Sequence, residues 1–269
     1  MAIRSGRICL RRKEIKDLRI VIPAYNEEAS IGAVIDRVRK ACPEAELMVV
    51  DDGSRDRTAE IAHYSGVQMV RNPTNLGYFA ALKVGFGHDN GTGRPIKYFA
   101  FLDADGTYPP EKIPELYDLC KEKDYDIAVG SRLLGKDKGM PFIRMVGNRF
   151  FAMLASVYTG RKISDLSTGL RVFSASLLPC LQNLPNGLDG TSAMTMKALF
   201  DGLAYAEIPV EYDRRAGKSK LSIIKDGYRF LRVIMKATRK YRPVLFFCTL
   251  GIPFILVDFI VNSISVPRT

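Results

Sequence analysis

The sequence predicts an α/β fold, a mostly parallel sheet with helices on both faces, and three observations point to it. Apolar runs rich in β-branched residues recur at Arg19 to Ala24, Glu46 to Val50, Val67 to Val70, Tyr98 to Leu102 and Asp126 to Val129, each bounded by turn formers. Helix-length segments lie between them, with Ile31, Val34, Ile35 and Val38 at helical spacing, and Ile113, Leu116 and Leu119 likewise. This β-α-β alternation builds parallel sheets. Finally, the unusual polar residues follow the runs: Asn26 and Glu27 after the first, Asp51 and Asp52 after the second, Asp103 and Asp105 after the fourth. Ligands of such sheets bind beyond the carboxyl ends of the strands, so these groups should share one crevice.

The second half changes character. A helical stretch from about Arg144 to Tyr158 leads to a strand-like Leu170 to Phe173, a helix near Ala193 to Phe200 and a strand-like Ala204 to Tyr212. From Leu221 to Lys240, apolar Leu221, Ile224, Tyr228, Leu231 and Met235 form one stripe, and Lys225, Arg229, Arg232, Lys236 and Arg239 form another. That pattern is a basic amphipathic helix. Val244 to Val261 is an 18-residue run, apolar except for Asp258 and mildly polar positions, and it is just long enough to cross a bilayer. The expected organisation is a basic segment (1–16), one α/β catalytic domain (17–220), an interfacial helix (221–242) and a membrane-spanning or membrane-anchoring helix (243–262).

The chain has 269 residues, 47% of them hydrophobic, enough for one substantial core. Its formal charge of +11 implies an anionic partner. The five cysteines (Cys9, Cys42, Cys120, Cys180, Cys248) are scattered and odd in number, which indicates neither a zinc site nor a disulfide framework. The basic N-terminal stretch precedes no apolar h-region, so no cleaved secretory signal is expected. Positive charge ahead of Val244 places that end, and the catalytic domain, on the cytoplasmic side.

Four motifs occur in order: P-A-Y-N-E-E (Pro23 to Glu28), D-D-G-S (Asp51 to Ser54), D-A-D-G (Asp103 to Gly106) and G-S-R (Gly130 to Arg132). Two carboxylates one residue apart at a strand end can hold a hard cation that bridges a diphosphate. Alone, D-x-D could equally be a solvated loop, and Asp51-Asp52 a helix-capping turn. S-T-G-L-R (Ser167 to Arg171) and G-K-S-K-L (Gly217 to Leu221), the latter preceded by Arg214 and Arg215, complete the series.

With these motifs the chain, from roughly Leu18 to Ser222, resembles the inverting glycosyltransferases of family 2. The likeness is to the branch of dolichyl-phosphate mannose synthases and polyprenyl-phosphate sugar transferases. The resemblance implies the A-type nucleotide-sugar (Rossmann-like) fold and a nucleotide-sugar donor bound by Pro23, Ala24, Tyr25, Glu27, Asp51, Asp52, Gly53, Asp103, Ala104, Asp105 and Arg132. It implies Mg²⁺ or Mn²⁺ held by Asp103 and Asp105, catalytic roles for Asp105 and Arg132, and a lipid phosphate held by Arg132, Arg144, Arg215, Ser219 and Lys220. Two departures from the branch are visible: Thr107 follows Gly106 where mannose synthases often carry Gln, and Tyr78-Phe79 follows Asn75-Leu76-Gly77 where a basic or small residue is common.

Elementary chemistry supports an anionic acceptor. A hydroxyl acceptor must lose a proton during attack and needs a general base. A phosphate monoester, with a second pKa of about 6, is already an anionic nucleophile near neutrality and needs only cations to position it. Arg132, Arg215 and Lys220 are read as phosphate ligands, whereas Lys218 and Arg149 read better as solvated. The expected partners are a nucleotide-sugar, polyprenyl or dolichyl phosphate and membrane lipids, with no nucleic acid, because the cations gather beside an apolar tail. Two alternatives stand beside this reading: a transferase acting on a hydroxyl, which should carry Q-x-x-R-W although this chain has no tryptophan, and a non-catalytic membrane scaffold with a degenerate domain.

Overall fold

The structure is a computed structural model that describes residues 15–89, 91, 93–135, 139–215, 223–249 and 251. The expectations for Lys218, Ser219, Lys220 and the run beyond 251 therefore lie outside the described residues, as does most of the basic N-terminal segment.

Seven strands form one sheet in the order β3-β2-β1-β4-β6-β5-β7. They are β1 (Leu18–Ala24), β2 (Glu46–Asp51), β3 (Gln68–Arg71), β4 (Tyr98–Phe101), β5 (Ile127–Ser131), β6 (Arg171–Ser174) and β7 (Tyr205–Pro209). β1 runs parallel to β2 and β4, β2 to β3, and β5 to β7. β6 is the exception, antiparallel to both β4 and β5. Five strands stand where the sequence places runs in the first half, with ends shifted by one or two residues.

The helices are α1 (Ile31–Ala41), α2 (Thr58–Tyr64), α3 (Tyr78–Gly87), α4 (Ile113–Glu122), α5 (Phe142–Thr159), α6 (Leu178–Leu181), α7 (Asp189–Phe200) and α8 (Ile223–Tyr241). Alternate strand residues go to opposite faces, and here both faces are buried, which is why the strands read as continuous apolar runs. In β4, Ala100 joins α1 and α4 on one face, while Phe99 and Phe101 join α3 and α7 on the other. α1 buries Ile31, Val34, Ile35 and Val38, each fully buried aliphatic contributing about 1.5–3 kcal/mol. A third cluster lies between α5, α7 and α8, with Ala152, Ala155, Met196 and Ile234 at its centre.

The outward side of α5 is apolar too. Phe142, Ile143, Val146, Phe150, Met153 and Val157 are 48 to 75% exposed, most of them at three- and four-residue steps, a stripe left uncovered among the described residues. α8 carries the expected cations, with Lys225, Arg229, Arg232, Lys236 and Arg239 exposed, but its buried side is not the expected stripe: Val233 and Ile234 are buried against α5 and α7, whereas Tyr228 and Leu231 are exposed. Among the described residues, no helix is long and apolar enough to cross a membrane.

Candidate active site

The sheet directions decide which loops meet. β1, β2, β4, β5 and β7 point the same way, so their C-terminal ends share one edge. Because β6 runs backwards, the loop entering it, not the loop leaving it, reaches that edge. The residues before Arg171 thus join Glu27, Asp52, Asp105 and Arg132.

The first two loops are stitched to each other. Asn26 N–H donates to Ser54 Oγ at 2.9 Å, Glu27 N–H to Thr58 Oγ1 at 2.7 Å, and Arg55 N–H to Asn26 Oδ1 at 2.8 Å. Asp51 and Asp52 are buried and committed to the chain itself. Asp51 pairs with Arg71 Nε at 3.0 Å and accepts from Ser54 N–H. Asp52 accepts from Asn72 Nδ2 at 2.8 Å and from the Leu76 and Gly77 amides, both at 2.9 Å, and so fixes the chain that opens α3. Gly53 has φ +75°, and a Cβ there would lie 2.7 Å from the Thr74 carbonyl carbon, so the D-D-G turn needs glycine on two grounds.

Tyr78, the first residue of α3, donates its hydroxyl to Asp103 Oδ1 at 2.5 Å. Gly169 lies on the other side of that carboxylate, so close that a Cβ would stand 2.5 Å from its oxygens. Burial, and then the charge of Asp105, push the Asp103 carboxyl up to about 7, against the pull of the Tyr78 hydrogen bond. Asp105 Oδ1 accepts from Thr107 Oγ1 at 2.6 Å and from Thr107 N–H, and its Oδ2 lies 3.3 Å from Arg215 Nη1. Arg215 also bonds Glu27 through its other terminal nitrogen.

Arg132 closes the site on the β5 side. Its Nε and Nη2 donate to the two oxygens of Asp165 at 2.7 and 2.8 Å, and Nη2 reaches Ser167 Oγ at 3.1 Å. The Tyr212 ring lies 5.6 Å from the guanidinium. Burial opposes the charge on Asp165, but Arg132 and the hydrogen bonds hold its carboxyl below the usual range.

The sequence profile of glycosyl transferase family 2 matches residues 19–181, which span every one of these loops except the last. A low-salt glycan biosynthesis hexosyltransferase of Haloferax volcanii is 34% identical over 81% of this chain, which spans 53% of that protein. A dolichyl-phosphate hexose transferase of the same organism is 32% identical over 84% of this chain and 96% of its own length. The chain belongs to glycosyl transferase family 2.

Its fold is that of a solved glucosyl-3-phosphoglycerate synthase of Mycobacterium tuberculosis, with a TM-score of 0.61 at 22% identity, covering 84% of this chain and 80% of the other. The sheet and its helices are therefore of the A-type nucleotide-sugar class. In this family 2 chain the edge of the sheet gathers Glu27, Asp51, Asp52, Gly53, Asp103, Asp105, Arg132 and Arg215. Pro23, Ala24 and Ala104 are buried backbone supports beside it, and Tyr25 is half-buried in the loop after β1. Arg144 sits half-buried in the first turn of α5.

The sequence reading assigns no role to Asp165, Tyr108 or Gly169. Tyr108 is buried, and its hydroxyl accepts from Gly169 N–H at 2.7 Å. A signal for Asp165 was present: a carboxylate two residues before S-T-G-L-R, in a chain with a cationic G-S-R to balance.

Proposed function

We propose that this protein transfers a single sugar from a nucleotide-sugar, GDP-mannose or a UDP-hexose or UDP-N-acetylglucosamine, onto polyprenyl or dolichyl phosphate, with inversion and with Mg²⁺ or Mn²⁺. The observation that carries the reading is the pairing, at one sheet edge, of the carboxylates Asp103 and Asp105 with the guanidiniums of Arg132 and Arg215. An acidic half suits a cation with a diphosphate, and a cationic half suits an acceptor that is itself a phosphate.

Asp103 and Asp105 fit a divalent cation. They offer hard oxygen donors only, and burial together with the charge of Asp105 raises the Asp103 carboxyl, which a positive charge between the two would counter. Among the described residues no group of three or more His, Cys, Asp or Glu could hold a metal ion, so Asp103 and Asp105 would be the carboxylates that hold it. When bound there, the metal offsets the charge that grows on the departing nucleoside diphosphate. Tyr78 and Gly169 fix the orientation of Asp103, and Thr107 fixes that of Asp105.

An acceptor phosphate oxygen attacks the anomeric carbon from the face opposite the diphosphate. The new carbon–oxygen bond forms as the bond to the diphosphate breaks, and the configuration inverts. The nucleophile arrives ionised, so no carboxylate need take a proton; Arg132, held by Asp165, and Arg215 position it.

A lipid tail on that acceptor accords with the exposed apolar stripe of α5 and the exposed cations of α8, two helices packed together through Phe151 and Phe230 at 5.8 Å. Apolar side chains enter the interface while cations meet anionic headgroups, so the protein works at a membrane with its catalytic domain on the cytoplasmic side. A relative named for dolichyl phosphate supports an acceptor of this kind, and a neighbouring structure that holds Mn²⁺ and UDP supports the donor and the metal.

The test is product formation from GDP-mannose, UDP-glucose and UDP-N-acetylglucosamine with a polyprenyl phosphate, with and without a chelator. A lipid-phosphate-linked sugar made only with metal is the expected result. Transfer to the free alcohol but not to the phosphate would overturn the reading.

A further inference from the structure

We infer that Arg171 is a positioning residue, one that acts on the acceptor-binding arginine, Arg132, through the loop from Ser164 to Gly169. The inference rests on the function proposed above. Arg171 opens β6 and is fully buried, yet no carboxylate among the described residues pairs with it. Its Nε donates to the Thr168 carbonyl at 2.9 Å, Nη2 to the Leu166 carbonyl at 3.1 Å and Nη1 to Thr195 Oγ1 at 2.8 Å. Thr195 in turn donates to the same Leu166 carbonyl at 3.0 Å. Burying a guanidinium is costly even when carbonyls and a hydroxyl take its hydrogen bonds, so its retention without a paired carboxylate points to a geometric task.

That task is legible in what the loop carries. Asp165, between the two anchored ends, supplies both oxygens that grip Arg132, and Ser167 adds its hydroxyl. Glu207 of β7 clamps the loop's other end by accepting from the Ser164 amide at 2.8 Å, the Ser164 hydroxyl at 2.7 Å and the Asp165 amide at 3.3 Å. A carboxylate thus takes the donors of one half of the loop, and a guanidinium takes the carbonyls of the other. The two charges hold the segment from opposite ends without pairing with each other. The planar fork of arginine reaches two carbonyls and a hydroxyl at fixed angles, which the single ammonium of lysine cannot do.

Arg132 depends on this loop for every side-chain hydrogen bond in the described structure, whereas Asp103 is also held by Tyr78. Disturbing Arg171 should therefore fall on the acceptor more than on the donor. Arg171→Lys keeps the charge and removes the fork. Hydrogen exchange of the amides in 164–169 should rise by about tenfold in this variant while β1, β2 and β4 keep their protection. In kinetics the KM for polyprenyl phosphate should rise by about tenfold with donor affinity within about threefold, and Arg171→Lys should cost little more in a protein that already carries Asp165→Asn, since it acts through that carboxylate. Thr195→Val, which removes only the hydroxyl shared by Arg171 and Leu166, should give the same pattern in milder form should Arg171→Lys not fold.

Unchanged loop protection in both variants, or a loss spread evenly over the sheet, would overturn the inference. Multiplicative effects of Arg171→Lys and Asp165→Asn would do so too. If the wild-type protein makes no lipid-linked sugar from any donor, the acceptor reading fails on its own. The exchange measurement, which needs no acceptor, still decides whether Arg171 sets the loop.

Discussion

Arg215 Nη1 lies 3.3 Å from Asp105 Oδ2, and its other terminal nitrogen bonds Glu27, so a cation of the chain itself already balances the acidic half of the site. Its side chain is 21% exposed, so solvent screens part of that attraction. Arg215→Ala should tighten Mn²⁺ binding in the absence of nucleotide by about tenfold, because two carboxylates lose a competing positive charge. The same variant should raise the KM for polyprenyl phosphate by more than it changes donor affinity. Calorimetric titration with Mn²⁺ checks the first half and steady-state kinetics the second; collapsed donor affinity with acceptor use intact would reverse the assignment.

Asp105→Ala should abolish transfer, a loss of about a thousandfold or more, while the fold stays intact. The carboxylate touches Thr107 and Arg215 in a loop and contributes to no apolar cluster. Turnover with Mg²⁺ or Mn²⁺ within a few-fold of wild type would remove the metal-bridged diphosphate from the mechanism.

Asp52→Ala acts on a different link. It orphans the Leu76 and Gly77 amides and the Asn72 side chain, three donors that now meet one carboxylate. A buried donor left unpaired costs about 1–3 kcal/mol; only the Asn72 donor is buried, and water reaches the two amides, so a loss of about 2–3 kcal/mol in urea denaturation is expected. Donor affinity should fall too, since the loop sets Tyr78 and through it Asp103. A stability change below about 1 kcal/mol would show that the loop holds itself.

Membrane contact divides into two separable contributions. Phe150→Glu with Met153→Glu removes half-exposed apolar area from α5, and Arg232→Ala with Lys236→Ala and Arg239→Ala removes cations from α8. Each cation near an anionic surface is worth about 1 kcal/mol and is screened by salt. The α8 variant should lose salt-sensitive binding to vesicles containing anionic lipid, and the α5 variant should lose the part that survives high salt. Both should still glycosylate a short, water-soluble polyprenyl phosphate. Equal binding of both variants and wild type in a sedimentation assay would remove these helices from the membrane contact.

Much of the fold was legible because buried parallel strands write themselves as apolar runs between turn formers, and β1, β2 and β4 do so without ambiguity. Direction was not. Nothing in Arg171–Ser174 says that it runs against its neighbours, because a short apolar strand reads the same either way. That reversal is what brings Asp165 to Arg132, so the sequence reading marked the guanidinium and left out the carboxylate that grips it. α3 was also missed: both sides of Tyr78–Gly87 are apolar, with Phe79, Leu82 and Phe86 buried, so it lacks the one-sided periodicity by which α1 and α4 announce themselves. The role of Asp52 in its own loop was not legible either, because a carboxylate at a strand end reads as a ligand group whether or not it also holds the amides of Leu76 and Gly77.

The place of β6 between β4 and β5 also orders events during synthesis. β1, β2, β3 and β4 can pair with one another as soon as residue 101 has left the ribosome. β5, an apolar strand buried on both faces in the finished protein, has neither neighbour until β6 and β7 follow, some 40 and 78 residues later by their pairings Val129 to Arg171 and Ile127 to Tyr205. At about 5–20 residues per second, that leaves an unpaired hydrophobic strand exposed for seconds on every nascent chain. Half of the active site therefore waits on the last-made strands, and a growing chain halted before residue 164 carries the acidic half without the loop that orients its arginine.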